Sequence, residues 1–282
     1  MEELKIKVKC FNLKYTLECG QCFRWKKIDE EYYVGVIKDR VIKIKQVKDT
    51  LYIISSNMDN LEDIVRYYFN LDLDYTSIEK RISIVDDNVK KAVTNTSGLR
   101  FLKQDFFETL ISYIISANNN IPRISKSVNE ISRRYGKEVE LEGEKYYLFP
   151  TPEELKNVTI EEYRECGVGF RDKYIYNTVA KINNKEIDLD ELFKMDTPNL
   201  KKELLSLMGV GPKVADCILL FSCSRVEVFP IDTWVEKIMT QLYFENNKVT
   251  KNQIQDYAKN NFKNDAGIIQ QHLFYNIREG MI

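Results

Sequence analysis

A lysine and an aspartate nineteen positions apart, Lys213 and Asp232, carry the clearest chemical potential in this chain. Lys213 stands in LMGVGPKVADC (207–217), after two glycines and a proline. Gly209 and Gly211 suit a tight turn that needs positive φ or close backbone approach. Pro212 pre-sets the first turn of the next helix, where no amide donor is needed. The free N–H groups that open this helix make an anion site, and a phosphodiester fits it. Gly209, Val210 and Gly211 are therefore the expected phosphate-facing residues. Lys213 falls in the first helical turn, where the positive end of the helix dipole disfavours its charged form. A neutral amine is a nucleophile. A surface lysine making one phosphate contact fits the hairpin equally well, and the hairpin alone leaves both readings open. Asp232 lies in EVFPIDTWVEKI (227–238), between a constrained segment ending at Pro230 and a helix carrying Glu236. Either Asp232 caps that helix, or Thr233 and Glu236 form a capping box. A capping aspartate is held rigidly and ionised, and it can stabilise a cation developing beside the lysine.

The elements around these residues fall into two kinds. Residues 1 to about 57 carry strand signals. YYVGVI (32–37), VIKIKQV (41–47) and LYII (51–54) are β-branched and aromatic, with turns at KDR (38–40) and KDT (48–50). The alternation in VIKIKQV predicts an antiparallel sheet with one solvated face. From Asp59 the period becomes helical. LEDIVRYYF (61–69) and DFFETLISYIIS (105–116) read as helices, the second opened by a capping-box pattern at Asp105 and Glu108. Pro122 suits the first turn of the next helix, which runs to about Tyr135 and stops at Gly136. Further helices are predicted near 152–165, 171–183, 188–194, 198–206, 212–222, 233–243, 250–260 and 265–278. The fold class is α+β: an N-terminal antiparallel sheet unit over residues 1–98, then a larger all-α unit over 99–282.

Composition bounds the possibilities. A chain of 282 residues, 44% hydrophobic and 30% charged, is long enough for two or three packed units. No apolar run approaches the roughly 20 residues that span a bilayer. The first residues, MEELKIKVKCF, lack an apolar core, so no signal peptide is expected. Six cysteines at this length suit a reduced cytoplasmic protein. A single histidine, His272, disfavours histidine-dependent triads and metal sites. Cys19-x-x-Cys22 lacks a partner pair, and no metal or cofactor is expected. The net charge of −1 argues weakly against a nucleic-acid partner but leaves room for a local basic face.

The hairpin with VFPIDTW some 20 residues on resembles the helix-hairpin-helix DNA glycosylases, and the lysine resembles their bifunctional branch. CGQCFRW (19–25), YFNLDLDY (68–75), LRFLKQDFFETLISYIISANNNIPRI (99–124), GVGFRDKY (167–174) and AGIIQQHLF (266–274) are each similar to the eukaryotic-type 8-oxoguanine DNA glycosylases. They occur in that family's order along nearly the whole chain. The resemblance implies an N-terminal sheet domain like that of the TATA-binding protein, joined to two helical subdomains with the active site between them. It implies a monomeric bifunctional glycosylase/AP lyase of base excision repair. The enzyme would remove 8-oxoguanine opposite cytosine in duplex DNA, in a bacterial cytoplasm and on its nucleoid.

The resemblance also assigns roles. Lys213 attacks C1′ and Asp232 stabilises the sugar cation. Gly20 offers its carbonyl to the N7 hydrogen of 8-oxoguanine. Cys217 and Phe274 sandwich the base, and Gln270 meets its Watson–Crick edge. Asn118 fills the space left by the flipped nucleotide, Arg123 and Arg171 bond the orphaned cytosine, and Phe170 wedges the neighbouring pair. By residue type alone, Cys217 reads as a core cysteine, Gln270 and Phe274 as a half-buried helix face, Asn118 as a helix-end residue, and the arginines as surface charges. Trp234 stands where the eukaryotic members carry a phosphate-binding histidine, and it offers one N–H and no charge. Phe221 replaces a smaller residue, so a different pocket shape is expected. Two other readings remain: a glycosylase of the same superfamily with another base preference, and a non-catalytic DNA-binding module. The first generally lacks the lysine, and the second does not need Lys213 and Asp232 together.

Overall fold

A computed structural model describes residues 2–282. Five antiparallel strands form the N-terminal sheet in the order β1-β5-β4-β3-β2. They are β1 (Leu4–Lys7), β2 (Lys26–Lys27), β3 (Tyr33–Ile37), β4 (Arg40–Val47) and β5 (Thr50–Ser55). The alternation read in VIKIKQV sets the faces: Ile42 and Ile44 pair across to Ile53 and the flanking register, and bury with Ile6 and Leu51. Lys43 and Lys45 point the other way and pair with Glu142 and Glu31 at 2.6 and 2.9 Å. Lys38 and Lys48 take positive φ at the two predicted turns. Helices α1 (Leu13–Glu18) and α2 (Leu61–Tyr68) back the sheet through Leu13, Leu17, Leu61 and Val65.

The remaining helices build the second unit. They are α3 (Tyr75–Ile82), α4 (Asp87–Asn95), α5 (Phe106–Ser116), α6 (Ile121–Tyr135), α7 (Ile160–Tyr163), α8 (Asp172–Asn183), α9 (Leu189–Lys194), α10 (Thr197–Leu205), α11 (Pro212–Phe221), α12 (Thr233–Tyr243), α13 (Lys251–Asn261) and α14 (Ala266–Arg278). Helix α5 is apolar all round and is buried from Phe106 to Ser116 except at Glu108. It packs against α6, α8, α9 and α11 at the centre of the helical core.

Helices α3 and α4 bury Tyr75, Ile82, Val89 and Val93 in the helical core; α4 packs on α14, and α3 packs on α4. Several expectations need correction. The helix predicted over 152–165 is broken: turns precede α7, and a π-helical segment (Arg164–Val168) kinks at Gly167, whose φ is +79°. Asp105 caps α5 by accepting from Glu108 N–H at 2.8 Å, but the Glu108 carboxylate turns to Arg24 instead of completing a box. The hairpin β6 (Glu138–Leu141) and β7 (Glu144–Tyr147) was not expected; Leu141 and Val139 cover Val34, Val36 and Val41 on the outer sheet face.

Candidate active site

The hairpin between α10 and α11 forms as its residues dictate, with one refinement. Gly209 has φ +83°, and a Cβ there would overlap the Tyr174 ring. Gly211 is extended, at φ −91°, and faces open space. Only Gly209 needs the left-handed region; Gly211 leaves room. As N-cap, Gly211 has no side chain to bond the helix start. The first bond of α11 runs from Ala215 N–H to Gly211 C=O at 2.9 Å. The amides of Lys213 and Val214 precede it and have no helical acceptor. Lys201 on α10 and the buried Asp216 on α11 pair at 2.6 Å and tie the two helices together. Burial pushes the Asp216 carboxyl up, and the lysine pulls against it.

Lys213 is half-buried, with Nζ 5.4 Å from the centre of the Tyr113 ring on α5. Tyr113 stacks on Phe221 at 5.7 Å and 17°. Asp232 is the N-cap of α12, accepting from Val235 N–H at 2.8 Å, and Thr233 is the first helical residue. Of the two caps read from the sequence, the aspartate is the one formed. The segment Val228–Ile231 before it is buried, which fixes where the carboxylate sits.

One cavity of about 370 Å³ brings together Gly20, Lys213, Cys217, Asp232, Gln270 and Phe274. Tyr113, Phe221, Trp234 and Arg278 also line it. Lys213 lines a second, wider groove of about 600 Å³ as well, with Asn118, Gly209, Gly211 and Lys251. The amine thus stands where this cavity meets a groove lined by the hairpin. Cys217 is buried, and burial holds its thiol up at about 11 against the pull of Lys213. It is a neutral, polarisable wall. Gln270 is only 6% exposed, yet its Oε1 has no partner. A buried acceptor left unmatched in a cavity wall points to a donor that arrives with a ligand.

The residues of the outer face separate. Asn118 is exposed at φ +51°, at the end of α5. Arg123 is exposed, and among the described residues its guanidinium has no hydrogen-bond or ion-pair partner. Phe170 is 56% exposed and leans edge-on against Tyr174, 6.0 Å between centroids. Arg171 is not a surface charge. It is buried, and its guanidinium donates to Ala117 C=O, to Asn118 C=O at 2.8 Å and to Val168 C=O at 3.0 Å. It ties the asparagine loop to the Phe170 loop. Sequence reasoning missed Tyr113, Tyr174 and Arg278. The aromatics carry no signal beyond an ordinary core pattern, and Arg278 lies near the chain's end outside every quoted motif.

A helical core gripping a glycine hairpin, with a lysine and a capping aspartate at the mouth of a base-sized cavity, is the construction of a helix-hairpin-helix base excision repair protein. Residues 111–264 match the HhH-GPD superfamily base excision DNA repair proteins, and residues 3–110 match the 8-oxoguanine DNA glycosylase N-terminal domain. The chain belongs to the 8-oxoguanine DNA glycosylases of the HhH-GPD superfamily. It is 29% identical to a probable N-glycosylase/DNA lyase of Methanothermobacter thermautotrophicus, over 98% of this chain and 96% of that one. It is 31% identical to the N-glycosylase/DNA lyase of Saccharomyces cerevisiae, over 82% of this chain and 68% of the yeast protein. The 8-oxoguanine glycosylase/lyase of Clostridium acetobutylicum, solved with double-stranded DNA containing cytosine opposite 8-oxoguanine, superimposes with a TM-score of 0.92. It is 39% identical and covers 99% of both chains.

Proposed function

We propose that this protein is a bifunctional DNA glycosylase/AP lyase that removes 8-oxoguanine from duplex DNA, preferentially opposite cytosine. The observation that carries the reading is the shared cavity: Lys213 and Asp232 at its mouth, with Gly20, Cys217, Gln270 and Phe274 around its walls. The lesion nucleotide must leave the duplex to enter it. Cys217 and Phe274 then face the two sides of the ring, and the unpartnered Gln270 amide oxygen meets a donor on its Watson–Crick edge. The Gly20 carbonyl accepts the N7 hydrogen that 8-oxoguanine has and guanine lacks.

The Lys213 amine, once it has given up its proton, donates its electron pair to C1′. The C1′–N9 bond breaks, its electrons leave with the base, and the base takes a proton. Asp232, fixed in place by its cap, stabilises positive charge on the sugar as that bond lengthens. The attached nitrogen gives up one proton, its lone pair expels O4′, which takes a proton, and the sugar ring opens to a protonated C1′ imine. Loss of a C2′ proton then expels the 3′ phosphate. The hairpin amides and Lys213 share the groove that receives the phosphodiester backbone. Asn118 and Arg123 read the cytosine left behind, Phe170 wedges the adjoining stack, and Arg171 sets the position of Asn118. The enzyme works as a monomer in the cytoplasm, on nucleoid DNA; among the described residues no helix is long and apolar enough to cross a membrane.

The test is product analysis on duplexes carrying 8-oxoguanine opposite each of the four bases, with a duplex carrying a methylated purine alongside. Release of free 8-oxoguanine with strand cleavage, fastest opposite cytosine, is expected. Release of an alkylated purine but no 8-oxoguanine would favour a different base preference, and DNA binding without any product would favour a non-catalytic module.

A further inference from the structure

The turn that carries Gly20 is held one carbonyl at a time. Glu18 C=O accepts from Arg278 Nη2 at 2.6 Å. Cys19 C=O accepts from Gln271 Nε2. Gln21 C=O accepts from Gln104 Nε2 at 2.7 Å. Between them, Gly20 C=O has no partner among the described residues, and Gly20 takes φ +85° to present it. Two of these three donors, Gln271 and Arg278, sit on α14, the helix that also carries Gln270 and Phe274. The Arg278 guanidinium lies 5.6 Å from the Phe274 ring centre and 5.0 Å from that of Tyr275. Its Nη1 stands 3.5 Å from where a Cβ on Gly20 would be, and its Nε is anchored by Glu279 at 3.0 Å.

We infer that Arg278 is a positioning residue for lesion discrimination, acting through the Gly20 turn and the Phe274 ring. The inference rests on the reading of the cavity as a base pocket. A planar guanidinium can stack on an aromatic ring and donate in its own plane at once, which a lysine cannot. Arg278 uses both properties. It plates the ring that stacks on the base, and it pins the carbonyl two residues before Gly20. The distance between the stacking surface and the acceptor for the N7 hydrogen is thereby fixed by one side chain. Without it the turn keeps the Gln271 and Gln104 bonds but can swing at Glu18, and the Gly20 acceptor no longer meets a base held by Phe274. Lys213 on α11 and Asp232, the N-cap of α12, share the cavity with this clamp, but the bonds that hold the Gly20 turn come from Arg278, Gln271 and Gln104 and not from them.

The experiment compares two reactions of the full-length protein. One is single-turnover release of 8-oxoguanine opposite cytosine, which needs base recognition. The other is strand cleavage at a preformed abasic site opposite cytosine, which needs Lys213 but no base. Arg278→Ala is expected to lower the ratio of the first rate to the second by about tenfold or more, the scale of one hydrogen bond from a charged donor. Arg278→Lys, which keeps charge and a donor but loses the plate, is expected to fall between. A ratio unchanged in both variants would overturn the inference, as would equal loss of both reactions with lowered melting in both. If the wild type cleaves the abasic site but releases no 8-oxoguanine, the reading of the cavity fails, and the role of Arg278 with it.

Discussion

Replacing Arg171 by alanine separates two roles that would otherwise be confused. A side chain that only reads an orphaned cytosine should be dispensable to the free protein. The structure instead buries Arg171 and spends its guanidinium on the carbonyls of Ala117, Asn118 and Val168. Burial pulls its pKa down, and no carboxylate pairs with it among the described residues, so the carbonyl dipoles and the Phe170 ring, 4.3 Å from the guanidinium to its centre, hold the charge. Each such bond from a charged donor contributes about 1.5–3 kcal/mol. Water can reach the exposed Asn118 loop and replace part of the loss, which leaves a net cost of about 2–4 kcal/mol. That corresponds to a melting point lower by about 5–10 °C for a chain of this size. Because Asn118 loses its fixed left-handed position, excision should slow opposite all four bases together. Thermal melting with excision kinetics on the four duplexes is the assay. Unchanged melting with a loss confined to the cytosine duplex would refute the loop-holding role.

The two hairpin glycines should respond differently. Gly209→Ala forces a side chain into the left-handed region, at about 1–2 kcal/mol, and displaces Tyr174. It should lower both melting temperature and duplex affinity, while Gly211→Ala should melt normally and weaken only duplex binding measured by anisotropy. Buried His272 bonds Thr96 at 2.7 Å and is held down at about 4 by burial. The unfolded chain, titrating near 6.5, takes up the proton first, so stability falls as pH drops from about 6.5 to 4, by roughly 3 kcal/mol. Urea unfolding of His272→Gln should show a flatter pH dependence across that window, and parallel slopes would count against the assignment. Lys201→Ala leaves Asp216 buried without its partner, at a cost of about 2–3 kcal/mol at pH 8. Because the unpaired carboxyl is then pushed further up, the deficit should shrink as pH falls toward 5; a deficit equal at both pH values would contradict it.

The sequence was most legible where local chemistry and tertiary role agree. Alternation in VIKIKQV fixed the sheet faces, and the glycines and proline before Lys213 fixed the hairpin. Asp232 was readable as a rigid cap because Pro230 and the helix period bracket it. What escaped depended on partners distant in sequence. The two residues of β2 and the four of β1 are too short for periodicity to register. Helices α3 and α4 are amphipathic whichever core they join, and only the packing of α4 on α14, with α3 against α4, assigns them. Arg171 and Arg278 look alike as surface arginines, and nothing in their neighbourhoods says that their donors end on the carbonyls of Ala117 and Glu18. The Glu108 carboxylate fits a capping box by spacing, yet buried Arg24 competes for it.

The central claim is that Lys213 is the nucleophile. Borohydride reduction during reaction with an 8-oxoguanine:cytosine duplex traps any imine between enzyme and sugar. The wild type should give a covalent protein–DNA adduct whose mass maps to the peptide containing Lys213, and folded Lys213→Gln should give none. An adduct formed equally well by Lys213→Gln, or mapped to another residue, would contradict the account.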